Sequence, residues 1–162
     1  MITRTTPRPT RREGMSGLEF LEAVRRGELP PAPVATLIGM TFDDVDEGRA
    51  VFSIEPSTQH ENPMGTMHGG ILATLLDSAM GCAVMSMLRP GTTFTTLELK
   101  TNYVRAVTAR TGRLHAEGRV VHLGGRVATT DARVIDDNDR LYAHATSTCL
   151  LITPEVPNGG TD

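Results

Sequence analysis

The stretch Ile71 to Leu88 constrains the chain more than any other part of it. It reads Ile-Leu-Ala-Thr-Leu-Leu-Asp-Ser-Ala-Met-Gly-Cys-Ala-Val-Met-Ser-Met-Leu, 18 residues that are apolar nearly all round and hold one charge, Asp77. Eighteen apolar residues touch the lower limit of a membrane span. Asp77 near the middle, the small or polar Thr74, Ser78 and Gly81, and a remainder that patterns as soluble strands argue instead for a buried central helix. A helix that is hydrophobic on every side must be wrapped by other elements. The sequence around it therefore has to supply a wrapper.

The wrapper is strand. Thr92 to Val107 is rich in Thr, Val and Leu with alternating character. From Arg113 to His122, Leu114, Ala116, Gly118 and Val120 alternate with His115, Glu117, Arg119 and Val121. Gly124-Gly125 marks a hairpin turn into Arg126 to Ile135, and Asp136-Asp137-Asn138-Asp139 marks a second turn before Leu141 to Ile152. These last three strands form an antiparallel meander. Upstream, Met40 to Asp43 and Arg49 to Glu55 flank a turn at Asp46-Glu47-Gly48. One helix and about five antiparallel strands make an α+β layer pair in which the sheet curls around the helix.

Before these strands, Ser16 to Arg26 carries Leu18, Leu21, Ala23 and Val24 at helical spacing. Ser16 and Glu19 form a capping-box pair, and Gly27 follows the end. Leu29-Pro30-Pro31-Ala32-Pro33 then predicts an extended linker. Residues 1–16, with Thr, Pro and four Arg and almost nothing apolar, read as a disordered tail, and 154–162 as a polar C-terminal tail. Residues 17–153 form the one domain expected of a 162-residue chain.

Composition removes several functions. Aromatic residues are 4% with no Trp, and the net charge is −3, so the materials for stacking on bases and for binding phosphate backbones are missing and no nucleic-acid partner is expected. Cys82 and Cys149 stand in no metal or redox spacing. They read as reduced thiols of a cytoplasmic protein, with no secretion signal ahead of them. Sequence patterns for phosphate loops, dinucleotide folds, serine-hydrolase elbows and zinc proteases are absent. His60, Glu61 and His68 are spaced too irregularly for zinc, so no metal and no cofactor is expected.

Chemistry concentrates between Pro56 and Asp77. The loop Ser57-Thr-Gln-His-Glu-Asn62-Pro63-Met-Gly65-Thr-Met67-His68-Gly69-Gly70 has few side chains suited to a core and leads straight into the long helix. Asp77 among Leu75, Leu76, Ala79 and Met80 is costly to bury unless it is paired or has a task. Backbone N–H groups at His68-Gly69-Gly70 meet the positive end of the helix dipole, and glycine lets a carbonyl oxygen approach. Those are the requirements of an oxyanion hole. Gly69 and Asp77 are nevertheless eight residues apart, roughly 12 Å along one helix, so one carbonyl cannot touch both. If they cooperate, Asp77 must come from a second copy whose helix lies antiparallel, which predicts an isologous dimer with two composite sites.

The run Asn62-(five residues)-His68-Gly69-Gly70-(six residues)-Asp77 resembles the acyl-CoA thioesterases of the hotdog fold, in particular the phenylacetate-pathway type. The similarity extends over about Pro33 to Ile152 and includes Thr95-Thr96-Leu97-Glu98-Leu99. It implies a curled antiparallel sheet of five or six strands wrapped around the central helix, and hydrolysis of a medium-size or aryl-acyl-CoA thioester. On this resemblance Asp77 activates water or attacks the thioester directly, and the Gly69 N–H polarises its oxygen. Asn62 places water or substrate, while His68 orients the loop and the carbonyl. Thr96 holds the water, with Thr95 as the alternative register. Gly70 belongs to the same turn. Pantetheine and nucleotide contacts fall on Gly125 and Arg126. Coenzyme A enters as part of the substrate, and the resemblance implies a homodimer extended to a dimer of dimers, with no membrane partner.

Met80 on the helix, with Met64 and Met67 in the loop, would line an adaptable acyl pocket, although Met80 reads equally as core. His68 as general base is a second reading of the site. A non-catalytic acyl-CoA-binding or regulatory module, or a hydratase, are the rival functions on the same fold.

Overall fold

A computed structural model describes residues 14–153, so the expected tail at 154–162 and positions 1–13 of the expected tail at 1–16 lie outside the described residues, while Ser16 at its end is placed as the cap of the first helix. The elements in chain order are α1 (Gly17–Arg25), α2 (Pro33–Ile38), β1 (Met40–Asp46), β2 (Arg49–Ile54), a single 3₁₀ turn (Thr58–His60), α3 (Gly69–Ser86), β3 (Thr93–Tyr103), β4 (Leu114–Leu123), β5 (Val127–Asp136) and β6 (Leu141–Ile152). Six strands form one antiparallel sheet in the order β1-β2-β4-β5-β6-β3. The expected meander is β4-β5-β6, and β3 pairs back onto β6 to become an edge.

α3 starts two residues earlier than the apolar run suggests. His68 is the N-cap and its ring accepts from the Gly70 N–H, which draws Gly69 and Gly70 into the first turn. Leu72, Leu75, Leu76, Ala79, Met80, Ala83 and Val84 are buried. Each large aliphatic among them contributes about 1.5–3 kcal/mol by leaving water. The helix touches the sheet so closely that a Cβ on Gly118 in β4 would run into the backbone of Ala79 and Met80. That proximity is why α3, although long and apolar enough to cross a membrane by length and composition, is the core of a folded layer pair.

α1 carries the predicted capping box. Glu19 Oε2 accepts from the Ser16 N–H at 2.7 Å, and Ser16 Oγ accepts from the Glu19 N–H at 3.2 Å. Its start is tied to the end of α3, the Gly17 N–H donating to the Leu88 carbonyl at 2.8 Å. The expected extended linker holds only to Ala32, because Pro33 opens α2 from its first position. Proline there lacks only an N–H that has no helical partner anyway. Gly39, at φ +68°, ends α2 in the left-handed conformation.

The turn between β5 and β6 is built on a buried carboxylate. Asp136 Oδ1 accepts from the Asn138 and Arg140 N–H groups at 2.9 and 3.0 Å, and Oδ2 accepts from the Tyr142 hydroxyl at 3.1 Å. β3 stops at Tyr103, short of the expected Val107. There the N–H groups of Val104 and Arg105 both turn to the Tyr142 carbonyl. Val107 is buried beyond this bend, and its carbonyl accepts from the Met67 N–H at 2.8 Å, which anchors the loop before α3.

Candidate active site

Asp77 sits half-buried on α3 and is held by β3. Thr96 Oγ1 donates to Asp77 Oδ1 at 3.0 Å. Register decides which threonine does this. Leu97 is a bulge residue, since Thr96 pairs with Cys149 and Glu98 with Thr148, and Thr95 is exposed. With Oδ1 occupied by Thr96, Oδ2 has no hydrogen-bond partner among the described residues and can serve a ligand.

Asp77 and Thr96 open into a cavity of about 370 Å³ between α3, α1, α2 and the first two strands. The chain has four phenylalanines, and Phe20, Phe42, Phe52 and Phe94 all line it. Phe42 and Phe52 stack at 4.6 Å between ring centroids. The helix face lining the cavity is Asp77, Ser78, Gly81, Cys82 and Met85. Met80 is not on that face. It is fully buried in the core with Leu76 and Ala79, which corrects its expected place in the pocket: the lining face centres on Gly81 and Met85, and Met80 lies round the helix from them toward the sheet. Met64 is 78% exposed and lines neither cavity.

Cys82 is a resident of this cavity without the chemistry of a nucleophile. Burial, and then the charge of Asp77, push its thiol up to about 12. Burial likewise raises Cys149.

The other end of α3 is a second centre. The Gly69 N–H has no acceptor among the described residues. The Gly70 N–H donates to His68 Nδ1 at 2.9 Å. An N–H can only donate, so Nδ1 carries the lone pair and the proton resides on Nε2. His68 is therefore a donor toward any ligand, and the arrangement disfavours it as general base. The His68 N–H itself is fixed on the His60 carbonyl at 2.7 Å.

Asn62 organises the loop that delivers these groups. Its Oδ1 accepts from the Met64 and Thr66 N–H groups at 2.9 and 3.4 Å, and its Nδ2 donates to Thr66 Oγ1 at 2.9 Å. One Nδ2 hydrogen remains for a ligand. Met67 is buried and borders a cleft of about 400 Å³ at this end, together with Gly69, Leu72, Tyr103 and Arg105. Tyr103 and Arg105 were not legible as site residues. Tyr103 Oη donates to the Gly69 carbonyl at 2.8 Å across 34 residues, a contact made only when β3 docks beside α3.

Within one chain the two centres stay apart, Gly69 and Asp77 being eight residues apart on a single continuous helix. Gly125 and Arg126 stand exposed at the β4–β5 turn. They belong to the Asp77 end, because Ala128 pairs with Cys149, which pairs with Thr96. Gly69 lies at the other end of the strands, beside Tyr103. Among the described residues no group of three or more His, Cys, Asp or Glu side chains is placed to hold a metal ion.

A curled six-stranded antiparallel sheet around one long helix, with a carboxylate mid-helix and an uncommitted glycine N–H at its start, defines a hotdog-fold protein. The thioesterase superfamily profile matches residues 64–143. A protein of Halobacterium salinarum named as a candidate esterase is 33% identical over 120 residues, covering 71% of this chain and 78% of the relative. The 1,4-dihydroxy-2-naphthoyl-CoA hydrolase of Listeria monocytogenes is 24% identical over 64% of this chain and 83% of its own length. The crystal structure of a phenylacetic acid degradation-related protein from Ralstonia eutropha superposes with a TM-score of 0.73 at 29% identity, covering 80% of this chain and 98% of that one. The chain belongs to the thioesterase superfamily.

Proposed function

We propose that the chain is a cytoplasmic acyl-CoA thioesterase that hydrolyses aryl-acyl and medium-length acyl thioesters at two composite sites of a homodimer. The observation that carries this reading is Asp77, steered by Thr96, in the wall of an apolar cavity lined by every phenylalanine of the chain. The acyl group occupies that cavity and the thioester carbonyl stops beside Asp77. The Asp77 carboxylate takes a proton from a water molecule as its oxygen adds to the carbonyl carbon. The resulting oxyanion is held by the Gly69 N–H at the helix start, with the His68 Nε2–H as a second donor. The tetrahedral species then expels the thiolate of coenzyme A, which is reprotonated from Asp77 or solvent, and the carboxylic acid departs.

The two centres come together through a second copy. β3 is an 11-residue edge strand with Leu97 and Tyr103 more than half exposed, an open template for antiparallel pairing. Pairing β3 with its twin extends the sheet to twelve strands and lays the two α3 helices antiparallel. The Thr96 end of one copy then faces the Tyr103 end of the other, so Asp77 of one works with Gly69 of its partner. Arg126 of one copy and Arg105 of the other flank the same site, where they suit the phosphates of coenzyme A. The presence of two 1,4-dihydroxy-2-naphthoyl-CoA hydrolases among the relatives supports a coenzyme A thioester as substrate. Further association into a dimer of dimers belongs to the same proposal.

The test is thiol release from a panel of aryl-acyl and straight-chain acyl-CoAs by the wild type, Asp77→Ala and Asp77→Asn. The expected result is turnover by the wild type and a loss of at least about a hundredfold in both variants. Undiminished activity in the variants overturns the role of Asp77. Background thiol release by a wild type that binds acyl-CoA leaves a non-catalytic binding module in its place.

A further inference from the structure

Glycine at position 69 is the most freely rotating residue type, placed where a backbone N–H has to be aimed within a few tenths of an ångström. A capping bond fixes its neighbour Gly70, and the peptide plane that carries the Gly69 N–H is held at its carbonyl, the His68 oxygen accepting from the Ile71 N–H at 2.9 Å. Two contacts from one side chain constrain the rest of the residue, its Cα and its carbonyl. Tyr103 Oη donates to the Gly69 carbonyl at 2.8 Å. The ring end of the same tyrosine fills the space a Cβ would take, so that a Cβ built on Gly69 would lie 2.9 Å from Cζ and 3.0 Å from Oη. Tyr103 is 54% exposed at the end of an edge strand, and no core position requires a tyrosine there.

We infer that Tyr103 is a positioning residue for the thioesterase reaction: it clamps the Gly69 backbone so that the Gly69 N–H is held in its oxyanion-binding direction. This rests on the reading of Gly69 as oxyanion donor. The hydroxyl fixes the Gly69–Gly70 peptide from its carbonyl side while His68 Nδ1 fixes it from its N–H side, and the Ile71 N–H holds the preceding peptide at the His68 carbonyl, so the two planes that meet at the Gly69 Cα are both pinned and the clamp acts on the Gly69 N–H by limiting the rotation between them. The ring blocks the rotation that would carry the Gly69 Cα toward β3. A donor that is preoriented acts where charge develops in the transition state and contributes little to holding the ground-state ester. The consequence is a defect in kcat and not in KM.

The experiment compares wild type, Tyr103→Phe and Tyr103→Leu in the full chain, using phenylacetyl-CoA and octanoyl-CoA as substrates, with ¹⁵N order parameters measured for the Gly69 and Gly70 amides. Tyr103→Phe keeps the ring and loses the hydroxyl. It is expected to lower kcat about tenfold with KM within a factor of two, to leave Tm within a few degrees, and to drop the order parameter at Gly69 and Gly70 from about 0.85 toward 0.6. Tyr103→Leu removes the ring as well and is expected to lose more. Wild-type kcat in Tyr103→Phe, or a loss confined to KM, overturns the clamp. If the wild type cleaves neither substrate, the thioesterase reading fails on its own. In that case unchanged order parameters in Tyr103→Phe overturn the clamp, and lowered ones uphold it as a backbone clamp.

Discussion

Thr96 Oγ1 and Asp77 Oδ1 lie 3.0 Å apart, and the bond joins an edge strand to the centre of the buried helix. A hydroxyl that donates to one carboxylate oxygen fixes the side chain's rotation and leaves the second oxygen to take a proton from water. Replacing Thr96 with Val keeps the shape and removes the donor. We predict that Thr96→Val lowers kcat roughly tenfold on the preferred acyl-CoA, less than the ~10²–10⁴ contribution of the general base it orients, and that Thr96→Ser restores most of it. Steady-state kinetics on the three proteins checks this. Equal rates in Val and Ser variants would mean that the threonine serves only the packing of β3.

Cys82 gives the fold a dependence on alkaline pH. In the folded chain burial and the Asp77 charge push its thiol to about 12, whereas in the unfolded chain it ionises near 9. A raised folded value stabilises the fold fully below the unfolded value, and that stabilisation is lost as pH rises from about 9 toward 12, because only the unfolded chain releases the proton. Cys82→Ala should therefore flatten the decline of urea-unfolding free energy across that window. The same thiol should react slowly with iodoacetamide at pH 8. Asp77→Asn should speed the reaction by removing the second cause of the shift, while burial keeps it slower than a free thiol. Peptide mass spectrometry reads the rate, and an unchanged rate in Asp77→Asn would separate the two side chains electrostatically.

The architecture was legible wherever a local pattern determined the outcome. The apolar run of α3, the alternation in β4 and the Ser16–Glu19 capping box each carry their fate within a few residues. What was not legible depends on where the chain goes later. Pro33 looks like the end of an extended proline segment, yet a proline is equally suited to open a helix, and only the docking of α2 over β1 decides. Thr95 and Thr96 are indistinguishable until the bulge at Leu97 sets which of them faces Asp77. Met80 and Cys82 are both apolar helix residues close to Asp77, and only the position of the sheet assigns one to the core and the other to the cavity. Tyr103 reads as the last residue of a strand, because its meaning comes from Gly69, 34 positions away.

Gly118 is the place where the sheet meets the helix. Its missing Cβ is replaced by the backbone of Ala79 and Met80, which has no rotamer with which to retreat. Gly118→Ala should destabilise the fold by about 3 kcal/mol through overpacking, or push α3 off the sheet and misalign Asp77 with Thr96. Chemical denaturation measures the first and residual kcat the second. A variant as stable and as active as the wild type would show that α3 has room to lift at that point.

The composite site makes a quantitative prediction that no single-chain site can imitate. Asp77→Ala removes the base, and Gly69→Ala displaces the oxyanion donor, since its Cβ meets Tyr103. Each homodimer alone then carries two defective sites. In a mixed dimer one site draws Asp77 from the Gly69→Ala chain and Gly69 from the Asp77→Ala chain, so it is intact, while the other site carries both lesions. Unfolding and refolding an equimolar mixture gives half mixed dimers, each with one working site of two, which amounts to about a quarter of the wild-type activity per chain. Activity that stays at the level of the separate variants, with mixed dimers verified by native mass spectrometry, would place Gly69 and Asp77 in different functions. Recovery near a quarter would require that the two residues act across the pair of chains, because neither chain of the mixture holds both.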